Sequence, residues 1–206
     1  MSNEDWYRNS TWSDDIESQF MAKLKRARRK EQYLRIQASY LAKTNPDVAI
    51  KLLAQYFELE DDFDHAQAYC DYAAAYLSLG DIEKAINNYA LALEREKVFS
   101  NLLTDAYILY PMTVVKYGVI SSYADADKIL DENQERLMFP IDHFRWNAAK
   151  AIIENDRDNI KEASSHAEKA LDAAEIKKSG FRFHQKLGLV GKEYTEIVNE
   201  LRAIYA

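Results

Sequence analysis

Apolar side chains recur every three or four residues over most of this 206-residue chain, the period of a half-buried α-helix. Ile16, Phe20, Leu24 and Ala27 form the first stripe, with Ser13 or Asp14 as its cap and with Asp14, Asp15 and Glu17 suiting the positive end of a helix. Asn45-Pro46-Asp47 predicts another start, with a capping side chain, a proline at the first helical position and an early acid. Ser122 followed by Asp125 reads as a capping box. Pro111 interrupts an apolar stretch and predicts a kink there or a helix beginning nearer Tyr110. Lys177, Lys178 and Gly180 end a helix, and Tyr194, Ile197, Leu201 and Tyr205 make a last amphipathic one. Two stretches lack the period. The first, with Trp6, Tyr7 and Trp12, is expected to pack back as a cap over the helices, a binding arm being the alternative; the second, Gly180 to Gly191 (GFRFHQKLGLVG), is expected to wrap a surface.

Large and small residues alternate most regularly in Ala66 to Lys97, AQAYCDYAAAYLSLGDIEKAINNYALALEREK. Tyr69, Tyr72, Ala73 and Tyr76 lie on one predicted helix, Ala85, Tyr89 and Ala92 on the next, and Gly80-Asp81 at the turn between them. These positions resemble a tetratricopeptide repeat, with Tyr for Trp, Tyr for Leu, Ala for Gly and Lys97 where the family usually has Pro. Tyr33, Ile36, Tyr40, Ala49 and Leu53 align with Tyr69, Tyr72, Tyr76, Ala85 and Tyr89 at a constant offset (33 to 69, 53 to 89). That offset exceeds the usual period of about 34 and places an extended acidic connection near Glu60 to Phe63. Tyr110, Tyr117, Ala126 and Leu130 make a third copy, again at one offset (69 to 110, 89 to 130). Phe144, Trp146, Ala149 and Ile153, then Ala163, Ala167, Ala170 and Leu171, make a weaker fourth. The whole chain, including its start Asp5 to Asn9 and the stretch Arg136 to Pro140 (RLMFP), is similar over most of its length to bacterial proteins with tetratricopeptide-like helices, a likeness that brings no activity with it.

The resemblance implies an all-α fold, a right-handed superhelical array of about four antiparallel helix pairs in a single domain spanning residues 1–206. The expected parts are an aromatic arm (1–12), a leading helix (13–30), helix pairs at 31–60, 66–97, 104–136 and 140–178, and a C-terminal capping helix (190–206). That last helix covers the open end of the array, lies in its groove or pairs with a second copy. Five Gly and three Pro agree with long helices and short loops.

A net charge of −7 argues against general binding to nucleic acid or anionic membranes. The cluster Lys23, Lys25, Arg26, Arg28, Arg29 and Lys30 is read as a solvated helix face, with a phosphate site or a pairing with the acidic run Glu58, Glu60, Asp61, Asp62 and Asp64 as alternatives. One cysteine excludes an internal disulfide, no apolar run approaches the roughly 20 residues of a membrane span, and the polar start MSNEDWYRNS lacks signal-peptide order, so a cytoplasmic location is expected. His65, His143, His166 and His184 are isolated, no nucleophile or phosphate-loop motif is present, and no metal or cofactor is expected. Cys70 lacks an activating neighbour in sequence and is read as a plain inner-face thiol.

In the family, the first helix of each pair lines a concave groove. Carried onto this chain, those positions are Glu31, Leu34, Ala38 and Leu41; Gln67, Cys70, Ala74 and Leu77; Ile108, Pro111 and Val115; and Phe144, Asn147 and Ala151. This lining is small and apolar, without the cluster of Lys, Arg and Asn that grips a carboxylate-ended peptide. The expected function is a non-enzymatic adaptor binding an apolar or helical segment of another protein. A groove filled by the chain's own arm or last helix stands beside that reading. Further alternatives are a peptide- or ligand-sensing regulator, a structural homodimer, and an enzyme with an unfamiliar site.

Overall fold

The computed structural model describes residues 5–59 and 63–206. Glu60, Asp61 and Asp62, and with them most of the connection expected to be extended, lie outside the described residues, as does the arm's start. Ten α-helices and three short 3-10 segments, with no strand, account for the regular structure among the described residues, so the chain is all-α. It divides into two compact units, Met1–Ala106 and Tyr107–Ala206.

The first unit contains α1 (Asp14–Leu24), α2 (Lys30–Leu41), α3 (Pro46–Phe57), α4 (His65–Ser78) and α5 (Ile82–Val98). Ser13 accepts a hydrogen bond from the Ile16 amide at the start of α1, and Pro46 opens α3. α1 ends at Leu24, short of the expected 30. Phe20 and Leu24 reach the core, whereas Ala27 offers too little area to hold another turn, so most of the basic cluster sits in the connection to α2. α2 packs on α3, α4 on α5, and α4 on both α2 and α3. Ala49, Ala68, Ala73, Ala75, Ala85 and Ala92 are fully buried, and their small side chains admit this close approach.

The arm closes one face of α2. The Trp6 ring lies 4.8 Å from Tyr33 and 5.4 Å from Phe20, and Tyr7 lies 4.7 Å from Tyr33. The Asn9 backbone and side-chain amides both donate to Gln37 Oε1, and Gln37 Nε2 donates back to Asn9 O at 2.8 Å. Gln37 is wholly buried, and this reciprocal pairing meets the hydrogen-bonding need its burial creates.

The second unit contains α6 (Ala106–Lys116), α7 (Tyr123–Glu132), α8 (Pro140–Asp156), α9 (Ile160–Glu175) and α10 (Thr195–Tyr205). α6 starts at Ala106 and runs through Pro111, so the start expected nearer Tyr110 is not found. The capping box at Ser122 is absent as well: its side chain caps no amide, and its backbone (φ −102°, ψ 3°) is not extended. α10 packs on α9 and α8 through Ile197 and Leu201, with Tyr194 edge-on to Phe144 at 5.1 Å.

One turn recurs in both units. After α4, Gly80 donates to Leu77 O and Asp81 to Tyr76 O; after α6, Gly118 donates to Val115 O and Val119 to Val114 O. After α8, Asp158 donates to Asn155 O and Asn159 to Glu154 O. Each is a Schellman stop whose pivot has positive φ: 76° at Gly80, 62° at Gly118 and 61° at Asp158.

Candidate functional site

A cleft of about 400 Å³ opens on the first unit, lined by Arg29, Glu31, Gln32, Arg35, Tyr56, Phe63 and Asp64. α2 supplies Glu31, Gln32 and Arg35 within little more than one turn, with Arg29 just before it; α3 supplies buried Tyr56. Phe63 is 57% exposed and forms an apolar rim.

Arg35 organises the cleft. Its Nε donates to Asp64 Oδ2 and its Nη1 to Asp71 Oδ2, both at 3.3 Å. Gln67, one turn before Asp71 on α4, donates to the other Asp71 oxygen at 3.3 Å. Burial pushes the Asp71 carboxyl up to about 6, against the opposing pull of Arg35 and Gln67. Arg29 is exposed at the cleft's edge, with its guanidinium beside the carboxylates of the lining. Two guanidinium groups thus stand beside Glu31 and Asp64 and two aromatic rings. Such a lining offers charged hydrogen bonds to a carboxylate, acceptors to an amide or ammonium group, and an apolar wall.

The positions expected to line a groove are dispersed. Glu31 is half-buried and lines the cleft; Gln67 is half-buried and acts behind it through Asp71. Ala74 and Leu77 are half-buried farther along α4. Leu34, Ala38 and Leu41 are core residues beneath α2, grouped with Phe20 and Leu24 and roofed by the arm. In the second unit Ile108, Val115, Pro111, Phe144 and Ala151 are buried. Asn147 is buried too: its amide donates to His143 O and its oxygen meets His166 Nδ1 at 3.0 Å, which places the hydrogen on that nitrogen.

Cys70 is buried beside Thr104, and burial pushes its thiol up to about 12, the Thr104 contact opposing the rise. The Thr104 hydroxyl accepts from Cys70 and from the Ala106 amide while donating to buried Glu96 at 2.6 Å, so the group braces the chain entering α6. A second ionic cluster joins α7 to α8. Lys150 pairs with Asp127 and Asp131, and Arg157 with Asp127 at 2.7 Å and Glu154 at 2.8 Å. Burial alone would raise Asp127, but Lys150 and Arg157 outweigh it and hold the carboxyl below its usual range. With its charges mutually paired, this cluster reads as a helix clamp.

Among the described residues no group of three or more His, Cys, Asp or Glu could hold a metal ion, and no helix is long and apolar enough to cross a membrane. Sequence reasoning missed Arg35, Gln32, Tyr56 and Phe63 as lining residues. A signal was present, since Arg35 and Asp71 occupy equivalent places at the repeat offset (35 to 71, as 33 to 69) with opposite charge. The chain matches no protein-family model, no curated protein and no solved structure.

Proposed function

We propose that the chain is a non-enzymatic, tetratricopeptide-like binding module that holds a short polypeptide segment in the cleft beside α2. The observation that carries this reading is the mixed lining: an exposed Arg29, the anchored Arg35, two carboxylates and an aromatic rim around one concavity. A volume near 400 Å³ suits a few residues of a peptide, not the length of a helix. The segment places a carboxylate against Arg29 and an apolar side chain against Phe63. The repeated Schellman turns and alanine-lined helix contacts support the superhelical array of helix pairs as its scaffold.

The test is a screen of immobilised short peptides with free and with amidated carboxyl termini, read with wild type and Arg29→Glu. Arg29 is exposed, so the variant is expected to fold unchanged. The reading predicts selective retention of peptides with free carboxylates and its loss in the variant. Equal retention of the two peptide forms, or binding indifferent to Arg29→Glu, would remove the cleft as the working site.

A further inference from the structure

The stretch between α9 and α10 belongs to neither the cleft nor the helix packing. Residues 180–187 are all exposed, with Phe183 84% exposed and Phe181 and Leu187 near half. They do not lie flat on the helices, as a wrapping segment would. The Phe139 ring lies 5.5 Å from Phe181 and anchors the near end of the loop.

The loop is braced. Ser179 is buried; its amide donates to Gln185 O and its hydroxyl to His184 O, each at 2.8 Å. His184 donates to Phe181 O and Leu187 to His184 O, and the Ile141 amide donates to Gly188 O at 2.8 Å. Gly188 has a φ of +68°, and a Cβ there would come within 2.5 Å of Phe139, so glycine permits this close seating. The fold therefore holds aromatic side chains out in water instead of burying them. Charge is the second observation. Between Ile176 and Lys192 the chain carries Lys177, Lys178, Arg182, Lys186 and Lys192 and no acid, in a protein of net charge −7.

We propose that this loop is a docking element for an anionic bilayer surface, with Phe183 and Leu187 entering the interface and the Lys and Arg side chains meeting lipid headgroups. Local sign governs such contact, because charges beyond about 8 Å are screened at physiological ionic strength. A projecting set of exposed apolar side chains suits a fluid surface, which closes around them, better than a peptide, which needs a groove.

The test is co-sedimentation of the full chain with phosphatidylcholine vesicles and with phosphatidylcholine–phosphatidylserine vesicles, at low and physiological salt. Wild type is expected to sediment with the anionic vesicles only, and less at higher salt. Phe183→Ser and the double variant Arg182→Glu/Lys186→Glu, each with unchanged circular dichroism, are expected to weaken sedimentation about ten-fold or more. No preference for anionic vesicles, or sedimentation unchanged in both variants, overturns the proposal. Retention on an immobilised acidic peptide without vesicle binding also overturns it and assigns the loop to a protein partner.

Discussion

Replacing Asp71 by Asn tests the electrostatics behind the cleft. In the folded chain burial raises this carboxyl from 3.8 to about 6, even with Arg35 and Gln67 in contact. The folded state thus binds the proton more tightly than the unfolded one, and stability falls as pH rises from about 4 to about 6, then stays at the lower level. A rise of that size corresponds to roughly 3 kcal/mol between the two protonation states. Asn has nearly the shape of the protonated acid and keeps an oxygen for Arg35 or Gln67, while Arg35 retains Asp64. Asp71→Asn is therefore expected to be about 1–3 kcal/mol more stable than wild type near pH 8 and nearly equal to it near pH 4. Urea unfolding followed by circular dichroism across that range measures the difference. A variant less stable than wild type by about 1 kcal/mol or more near pH 8 would show that the Arg35–Asp71 pair outweighs its desolvation, and would refute the reasoning.

Asp158 holds a left-handed conformation that costs an L-residue about 1 kcal/mol, so Asp158→Gly should raise unfolding stability by roughly 0.5–1 kcal/mol; a loss would mean its side chain stabilises the turn. Trp6→Ala strips the arm's contact with Phe20 and Tyr33 and is expected to cost about 2–3 kcal/mol in urea, whereas a change below about 0.5 kcal/mol would show that the arm does not seal the core. Cys70, its thiol pushed up to about 12 by burial, should resist a thiol-specific reagent near neutral pH until denaturant is added; rapid native labelling would contradict its burial.

Helix starts and stops were legible where local chemistry sets them. Ser13 caps α1, Pro46 opens α3, and Gly80 makes the left-handed stop after α4. Pro111 left two readings open, a kink or a later start, and the later start fails because tertiary packing can carry a helix through a proline, at the loss of one hydrogen bond. Ser122 misled because it ends a 3-10 turn (Ile120–Ser122) and lacks the extended backbone from which a capping side chain reaches the first helix amides. The aromatic arm was readable as a cap, since two Trp and a Tyr in a polar segment need apolar cover. Which helix face it would cover was not readable: that depends on Gln37 meeting Asn9 across 28 residues of chain. The same uncertainty kept Leu34, Ala38 and Leu41 among the groove positions when they belong to the core. The cleft was harder still, because spacing alone does not show that Arg35 turns toward α4 while its neighbour Leu34 turns inward. Only the alignment of Arg35 with Asp71 hinted at it.

Site-specific photo-cross-linking in the source cell tests the cleft as a binding site, with a photoreactive amino acid placed at Gln32 in the cleft or at exposed Leu91 on α5. A discrete polypeptide adduct is expected from position 32, lost when Arg29→Glu is added, and none from position 91. No adduct at 32, the same adducts from both positions, or an adduct that survives Arg29→Glu would contradict the cleft as the place where a partner is held.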